Sequence, residues 1–190
     1  FNFPFGFKEL EGIHSRTDFD LKAHEKHSGK KLRYFDGEMK KSYMPYVVET
    51  SIGLDRMFLA IISKSFFEEE LENGDFRVVL KIPVFLAPFK AAILPLTKKD
   101  GLPEKAREIM KKIQLNFNCK YEEKDSIGKR YRRHDAIGTP YCITVDHQTL
   151  KDNTITLRDR DSMLQERISI EKLKSVILES INIKTTFLPQ

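Results

Sequence analysis

The chain has 190 residues, 40% of them hydrophobic and 32% charged, a balance that excludes a disordered polymer and suits one large or two small domains. Its 33 Lys and Arg against 28 Asp and Glu give a formal net charge of +5, and its two cysteines, with no CxxC spacing, speak against a disulfide scaffold or a thiolate zinc site and for a reducing, cytoplasmic setting. No apolar run reaches the roughly 18 residues needed to cross a bilayer, and P-loop, GxGxxG and HExxH patterns are absent.

The opening run Phe1-Asn2-Phe3-Pro4-Phe5 has no initiator Met and no signal-peptide pattern, and reads as the interior of a longer protein. Residues 18–28 are expected to be a short helix, with Thr17 as N-cap, Lys26 and His27 in the last turn and Gly29 as the stop. Strands are expected at 31–35 and 44–50, with Asp36-Gly37 as a turn. Gly53 breaks the second strand. Leu54, Met57, Phe58, Ile61, Ile62 and Phe66 then recur at helical spacing over 54–67. The acidic stretch 68–75, with Asn73-Gly74, reads as a surface loop. Pro83 and Pro88 punctuate a boundary placed at 82/83. Beyond it come a strand at 89–96, a helix from Pro103 to about Asn116 and a strand at 119–121. A basic helix over 126–136, a strand at 141–145, strands near 154–158 and 166–170, and a helix from Ile170 to about Glu179 follow. This alternation predicts an α/β unit with a mixed sheet flanked by helices, so that the whole chain is α+β.

Charge is unevenly placed. Residues 1–82 hold 13 Lys and Arg against 14 Asp and Glu, net −1, whereas 83–190 hold 20 against 14, net +6. The basic second part suits either a solvated surface or a polyanion such as nucleic acid.

Four constellations carry the chemistry. The run Glu49-Thr50-Ser51-Ile52-Gly53-Leu54-Asp55-Arg56 brings a carboxylate and a hydroxyl to a strand end, turns at a glycine and places a guanidinium in the first turn of a helix. That set suits an anionic aromatic ligand beside a small cation, or a plain strand-to-helix corner with Arg56 paired on the surface. In Glu9-Leu10-Glu11, carboxylates at i and i+2 of a strand share a face and suit Mg²⁺ or an ammonium, or are ordinary exposed acids. In Lys129-Arg130-Tyr131-Arg132-Arg133, basic residues flank an aromatic one; Lys129, Arg132 and Arg133 share one helix side, and Ile127 and Tyr131 another. This suits RNA phosphates and bases, or a solvated face over a core tyrosine. In Arg158-Asp159-Arg160-Asp161, alternation sends both arginines one way and both aspartates the other, for base reading or for a self-paired hairpin. His24 and His27 lack a third ligand and read as solvated, and Cys119 and Cys142 as small buried apolar groups.

Together these segments resemble the C-terminal portion of a bacterial-type glycyl-tRNA synthetase, a class II aminoacyl-tRNA synthetase. Glu9 to Ile13 with Arg16-Thr17-Asp18-Phe19-Asp20-Leu21 resembles the late catalytic domain, and Glu49 to Arg56 resembles class II motif 3. Ala87-Pro88-Phe89-Lys90-Ala91-Ala92, Ile127 to Arg133, Gly138-Thr139-Pro140 and Arg158 to Asp161 resemble the anticodon-binding domain. The resemblance implies an antiparallel catalytic sheet over 1–82 and an anticodon-binding domain over 83–190. It implies that Glu9, Leu10, Gly53, Leu54, Asp55 and Arg56 line the ATP site, with Glu9 a partner of Mg²⁺ and Arg56 and Glu9 catalytic. It implies that Glu49, Thr50, Ser51, Ile52 and Gly53 line the glycine site. Lys129, Arg130, Arg132, Arg133, Arg158, Asp159, Arg160 and Asp161 are expected on tRNA(Gly). Thr50 stands where the family often has Pro. Motifs 1 and 2 are absent, so the chain is expected to be inactive alone, a piece of an ATP-dependent, homodimeric, cytoplasmic glycine–tRNA ligase. The alternative is a non-catalytic, synthetase-like RNA-binding or polymerase-accessory module.

Overall fold

The computed structural model describes residues 1–72 and 74–182. The chain divides into two compact units, Phe1–Ser63 and a second that begins at Lys64.

In the first unit, β1 (Asn2–Phe3) and β2 (Gly6–Phe7) form a small hairpin. Strand β3 (Glu11–Thr17) leads into helix α1 (Phe19–Ser28), which Gly29 ends in the left-handed conformation as expected. Its N-cap is Asp18, not Thr17, and makes no side-chain cap bond; Thr17 adopts φ 53° at the corner. Strands β4 (Tyr34–Asp36) and β5 (Lys41–Tyr43) pair around the Asp36-Gly37 turn. Strand β6 (Val47–Ile52) pairs antiparallel with β3, and α2 (Leu54–Ser65) follows. The β3–β6 ribbon and the start of α2 leave Ile13, Val48, Leu54 and Phe58 at 66–82% exposure.

The second unit opens with a hairpin, β7 (Phe66–Glu70) and β8 (Phe76–Leu80), where the acidic run had suggested a loop. Residue 73, in the expected Asn73-Gly74 turn, lies outside the described residues. The hairpin forms because one of its faces is tied down: Arg77 and Val79 are buried, and Glu69 takes both Arg77 and Lys81 as ion-pair partners, at 2.6 and 2.5 Å. Arg77 also donates to Asp135, further along the chain, and the second compact unit begins at Lys64, ahead of the 82/83 boundary that the prolines suggest.

A 3-10 turn (Val84–Leu86) then leads to a five-stranded mixed sheet in the order β10-β9-β11-β12-β13. The strands are β9 (Ala91–Pro95), β10 (Cys119–Tyr121), β11 (Tyr141–Val145), β12 (Thr154–Asp159) and β13 (Gln165–Ser169). β9 pairs parallel with β10 and β11, and β12 and β13 add antiparallel. The parallel pairs need helical crossovers, supplied by α3 (Leu102–Ile113) and α4 (Ile127–Ala136). Alternation along β9 separates two cores. Ala91 and Ile93 pack with Leu102, Ala106, Ile109 and Ile113 of α3 and with Leu173 and Ile177 of α6 (Ile170–Ile181). Ala92 and Leu94 pack with Ile127 and Tyr131 of α4. The sheet is thus covered on both faces, and each fully buried Ile or Leu contributes roughly 1.5–3 kcal/mol.

Helix α5 (His147–Asp152) had no expectation from sequence. It is polar and short, held by a capping box in which Asp146 accepts from the Thr149 N–H at 3.0 Å. Gly138 ends the α4 segment with φ +79°; a Cβ there would lie 2.8 Å from Ile82 Cγ2 and 3.1 Å from the Leu80 carbonyl, so this close approach requires glycine. Cys119 and Cys142 are free, and burial pushes both thiols up to about 12, as befits inert, apolar-like groups.

Candidate functional site

In the first unit, β6 ends at Ile52, Gly53 turns the chain and its carbonyl accepts the Met57 N–H at 2.9 Å to start α2. Across the ribbon His14 lies opposite Glu49, Ile13 opposite Thr50, Gly12 opposite Ser51 and Glu11 opposite Ile52. Directly opposed residues share a face. Glu49 and Ser51 therefore face one way with Gly12 and His14, while Thr50 and Ile52 face the other. The run 49–52 is thus divided between the two faces of β6.

Strand β3 begins at Glu11, so the expectation of Glu9 and Glu11 on one strand face is corrected. What the fold does bring together is Glu9 and Arg56: Arg56 Nη1 donates to the Glu9 main-chain carbonyl at 2.6 Å, tying the first turn of α2 to the segment ahead of β3. Leu10 is half-buried beside it, and Leu54 and Asp55 are exposed. The carboxylates of Glu9 and Glu11 are exposed oxygen donors, the chemistry a magnesium ion takes.

Sequence reasoning missed Arg16 as a partner of the corner. Its Nε lies 2.7 Å from Asp20 Oδ2 and 3.5 Å from Glu49 Oε2. The hydrogen bond from Arg16 lowers the Asp20 pKa and raises that of Arg16 itself. The Arg16–Asp20 spacing of four was visible; the reach to Glu49 follows only from strand pairing.

The second unit sorts the basic motifs sharply. Arg130, 2% exposed, donates to the carbonyls of Pro95, Glu122 and Leu96 at 2.8, 3.2 and 3.4 Å, stitching together the ends of β9 and β10. Arg158 grips Asp135 with two bonds of 2.8 and 3.0 Å, its guanidinium 4.8 Å from the centre of the Tyr131 ring. Arg160 donates to the carbonyls of Ile82 and Gly138 and holds Asp161 through two bonds of 2.8 Å. Asp159 accepts from the N–H groups of Asp161 and Ser162 and from the Ser162 hydroxyl, closing the turn after β12. Of the residues expected on RNA, Arg130, Arg158 and Arg160 are turned into the fold, and Asp159 and Asp161 bond within the turn after β12. Most of the donors of the three buried guanidinium groups are met by carbonyls and carboxylates of the fold, Arg130 Nε being the exception. Arg133 is on the surface but neutralised by Glu122 and Asp125, at 2.7 and 2.8 Å.

Lys129 and Arg132 remain as the outward cations of the motif. They stand at a cleft of about 360 Å³ whose floor is Tyr131 over Arg158 and whose far wall is Met163 and Gln165 at the β12–β13 turn. Tyr131 is fixed by a 2.6 Å bond between its hydroxyl and that of Thr144, and burial raises its pKa. Gly128 leaves open space at the rim. Met163 holds φ 58°, a left-handed conformation that costs a non-glycine residue about 1 kcal/mol. A second cleft, of about 490 Å³, shares Arg132 and Met163 and is walled by Glu70, Leu71 and Glu72. Sequence reading missed Met163 and Gln165, which no motif marks; only the folding of the hairpin turn onto α4 brings them there.

Residues 90–180 match the model of an anticodon binding domain. The chain is 55% identical to a glycine–tRNA ligase of Clostridium tetani over 94% of its own length, 53% identical to one of Clostridium acetobutylicum over 95%, and 53% identical to one of Chlorobaculum tepidum over 90%. The chain is homologous to a portion of the glycine–tRNA ligases. It spans 38%, 39% and 36% of those relatives, little more than a third of their length. The resemblance carried by Glu49–Arg56, Ile127–Arg133 and the other motifs agrees with this homology, and the mixed sheet flanked by helices lies within the matched domain. Among the described residues no helix is long and apolar enough to cross a membrane.

Proposed function

We propose that the chain serves glycyl-tRNA formation, the second unit holding the anticodon stem-loop of tRNA(Gly) and the first contributing to a site for glycine and ATP in the cytoplasm. The observation that carries this reading is the cleft where Lys129 and Arg132 flank the Tyr131–Arg158 floor, inside the segment that matches an anticodon binding domain. Cations at a rim over an aromatic floor suit single-stranded RNA: the phosphates meet the charges and an unstacked base meets the ring face.

At the corner, Glu49 offers a carboxylate to the ammonium of glycine, with Ser51 on the same face. Arg56, in the first turn of α2, supplies a guanidinium for ATP. The glycine carboxylate attacks the α-phosphorus and the α–β bridging oxygen leaves with pyrophosphate; a hydroxyl of the 3′-terminal ribose of tRNA then attacks the glycyl carbonyl of the adenylate, losing its proton as AMP leaves. The chain's residues act by holding and orienting, with no covalent protein intermediate. Glu9 would hold Mg²⁺, which would draw charge from the phosphate oxygens. Substrates larger than glycine are turned away by space rather than by a specific bond.

The test is glycine-dependent ATP–pyrophosphate exchange and charging of tRNA(Gly) by the full-length gene product. Exchange with glycine and not with alanine or serine is expected. RNA binding with no exchange would replace the ligase reading by that of a non-catalytic RNA-binding module.

A further inference from the structure

Asp135 is fully buried and faces three arginines. It accepts from Arg158 at 2.8 and 3.0 Å and from Arg77 Nη1 at 3.2 Å, and Arg132 Nη1 lies 3.7 Å away. Arg77, itself buried, continues the array by donating to the carbonyls of Arg160 and Asp161 at 2.8 and 3.2 Å and to Glu69 at 2.7 Å. One carboxylate thus ties α4 to β12, to the β12–β13 turn and to the β7–β8 hairpin.

Burying ions is costly, and an apolar cluster of the same volume is often no less stable. An apolar cluster has no means of fixing the plane of a guanidinium. The two-point grip on Arg158 sets that plane against the Tyr131 ring, which is the floor of the cleft. The partial hold on Arg132 aims the rim cation, and the Arg77 bonds seat residues 160–161, from which Met163 reaches the far wall. Arg77, Arg158 and Arg160 pair with Asp135, Glu69 and Asp161, Glu69 also taking Lys81, while Arg132 and Lys129 stand on the solvent side.

We propose that Asp135 is the positioning residue of the RNA cleft: it touches no RNA, and through Arg158, Arg132 and Arg77 it fixes the shape by which the cleft tells one loop from another. This rests on the anticodon reading above. It makes a split prediction that loss of folding does not. Asp135→Asn keeps the volume of the side chain but removes the charge that partly neutralises Arg132. General RNA attraction then holds or rises while discrimination falls.

The measurement is the dissociation constant of the chain for two RNA hairpins, one with a glycine anticodon, which ends in two cytosines, and one with guanosines in place of those cytosines, across a series of salt concentrations. With Asp135→Asn the preference for the first hairpin is expected to shrink about tenfold, the size of one good base contact. Affinity for the second hairpin is expected to hold or increase. Arg77→Lys, remote from the cleft and still cationic, must give the same loss of preference. Equal weakening for both hairpins, an unchanged preference, or a failure to fold with both substitutions overturns the proposal in favour of a purely structural array. A wild-type chain that binds both hairpins equally overturns the anticodon reading itself, a result separate from any effect of Asp135.

Discussion

Arg130 and Arg132 are two residues apart in one basic run, yet the fold gives them opposite tasks, and paired substitutions separate these. Arg130→Gln removes a guanidinium that satisfies three main-chain carbonyls, two of them at 2.8 and 3.2 Å and one at a weak 3.4 Å. A hydrogen bond to a charged donor contributes about 1.5–3 kcal/mol, and glutamine can reach one carbonyl at best. The net loss is then about 2–4 kcal/mol, or roughly a 10 °C fall in melting temperature for a unit of this size. Arg132→Gln removes an exposed cation whose nearest ion-pair contact is 3.7 Å away, so its cost in stability stays below about 0.5 kcal/mol. In RNA binding the order reverses. Losing Arg132 lowers the slope of log affinity against log salt by about 0.7–1, one phosphate contact, while Arg130→Gln, measured well below its melting point, leaves the slope unchanged. Scanning calorimetry and salt-titrated binding read the two effects. A chain with Arg130→Gln that melts within about 1 °C of wild type and loses salt dependence would refute this partition.

Glu49→Gln in the full-length gene product should raise the KM for glycine about tenfold or more in pyrophosphate exchange, since the ammonium loses its counter-charge; an unchanged KM takes Glu49 out of the pocket. Asp146→Asn tests the Arg167 pair, whose bonds of 2.6 and 2.8 Å hold the Asp146 carboxyl well below the usual carboxylate range. A depressed folded-state pKa stabilises above the unfolded value of about 3.9 and loses that effect as the pH falls through the lower folded value. The variant should therefore melt earlier than wild type at pH 7, by about 1–2 kcal/mol, and the gap should close in strong acid; a gap that persists there would show that the loss is not electrostatic.

Much of the architecture could be read from the sequence because each element carried its own local signal. The expected strands at 119–121 and 141–145 are observed, the second on its apolar run, and Pro103 and Gly29 punctuate α3 and α1 as their chemistry requires. What stayed hidden was decided at long range. The acids of β7 look like a loop until Arg77 and Lys81 neutralise Glu69 across the hairpin. α5 has no apolar repeat, and its one signal was the Asp146–Thr149 spacing of a capping box. The site was legible in residue type more than in role. Basic and aromatic interleaving pointed to the helix that lines the cleft, but nothing in the order Arg130, Arg132, Arg133 tells which guanidinium is turned inward. That depends on Pro95, Leu96 and Glu122, supplied by other strands.

β12 and β13 pair antiparallel, and this has an engineering consequence. A parallel neighbour would need a whole crossover helix, whereas β12 and β13 are joined by the short stretch 160–164. The far side of the cleft is therefore carried on an exchangeable part. Exchanging that stretch, with Arg160 and Asp161 retained as its anchors, would reshape the wall at Met163 while leaving the hydrophobic layers untouched.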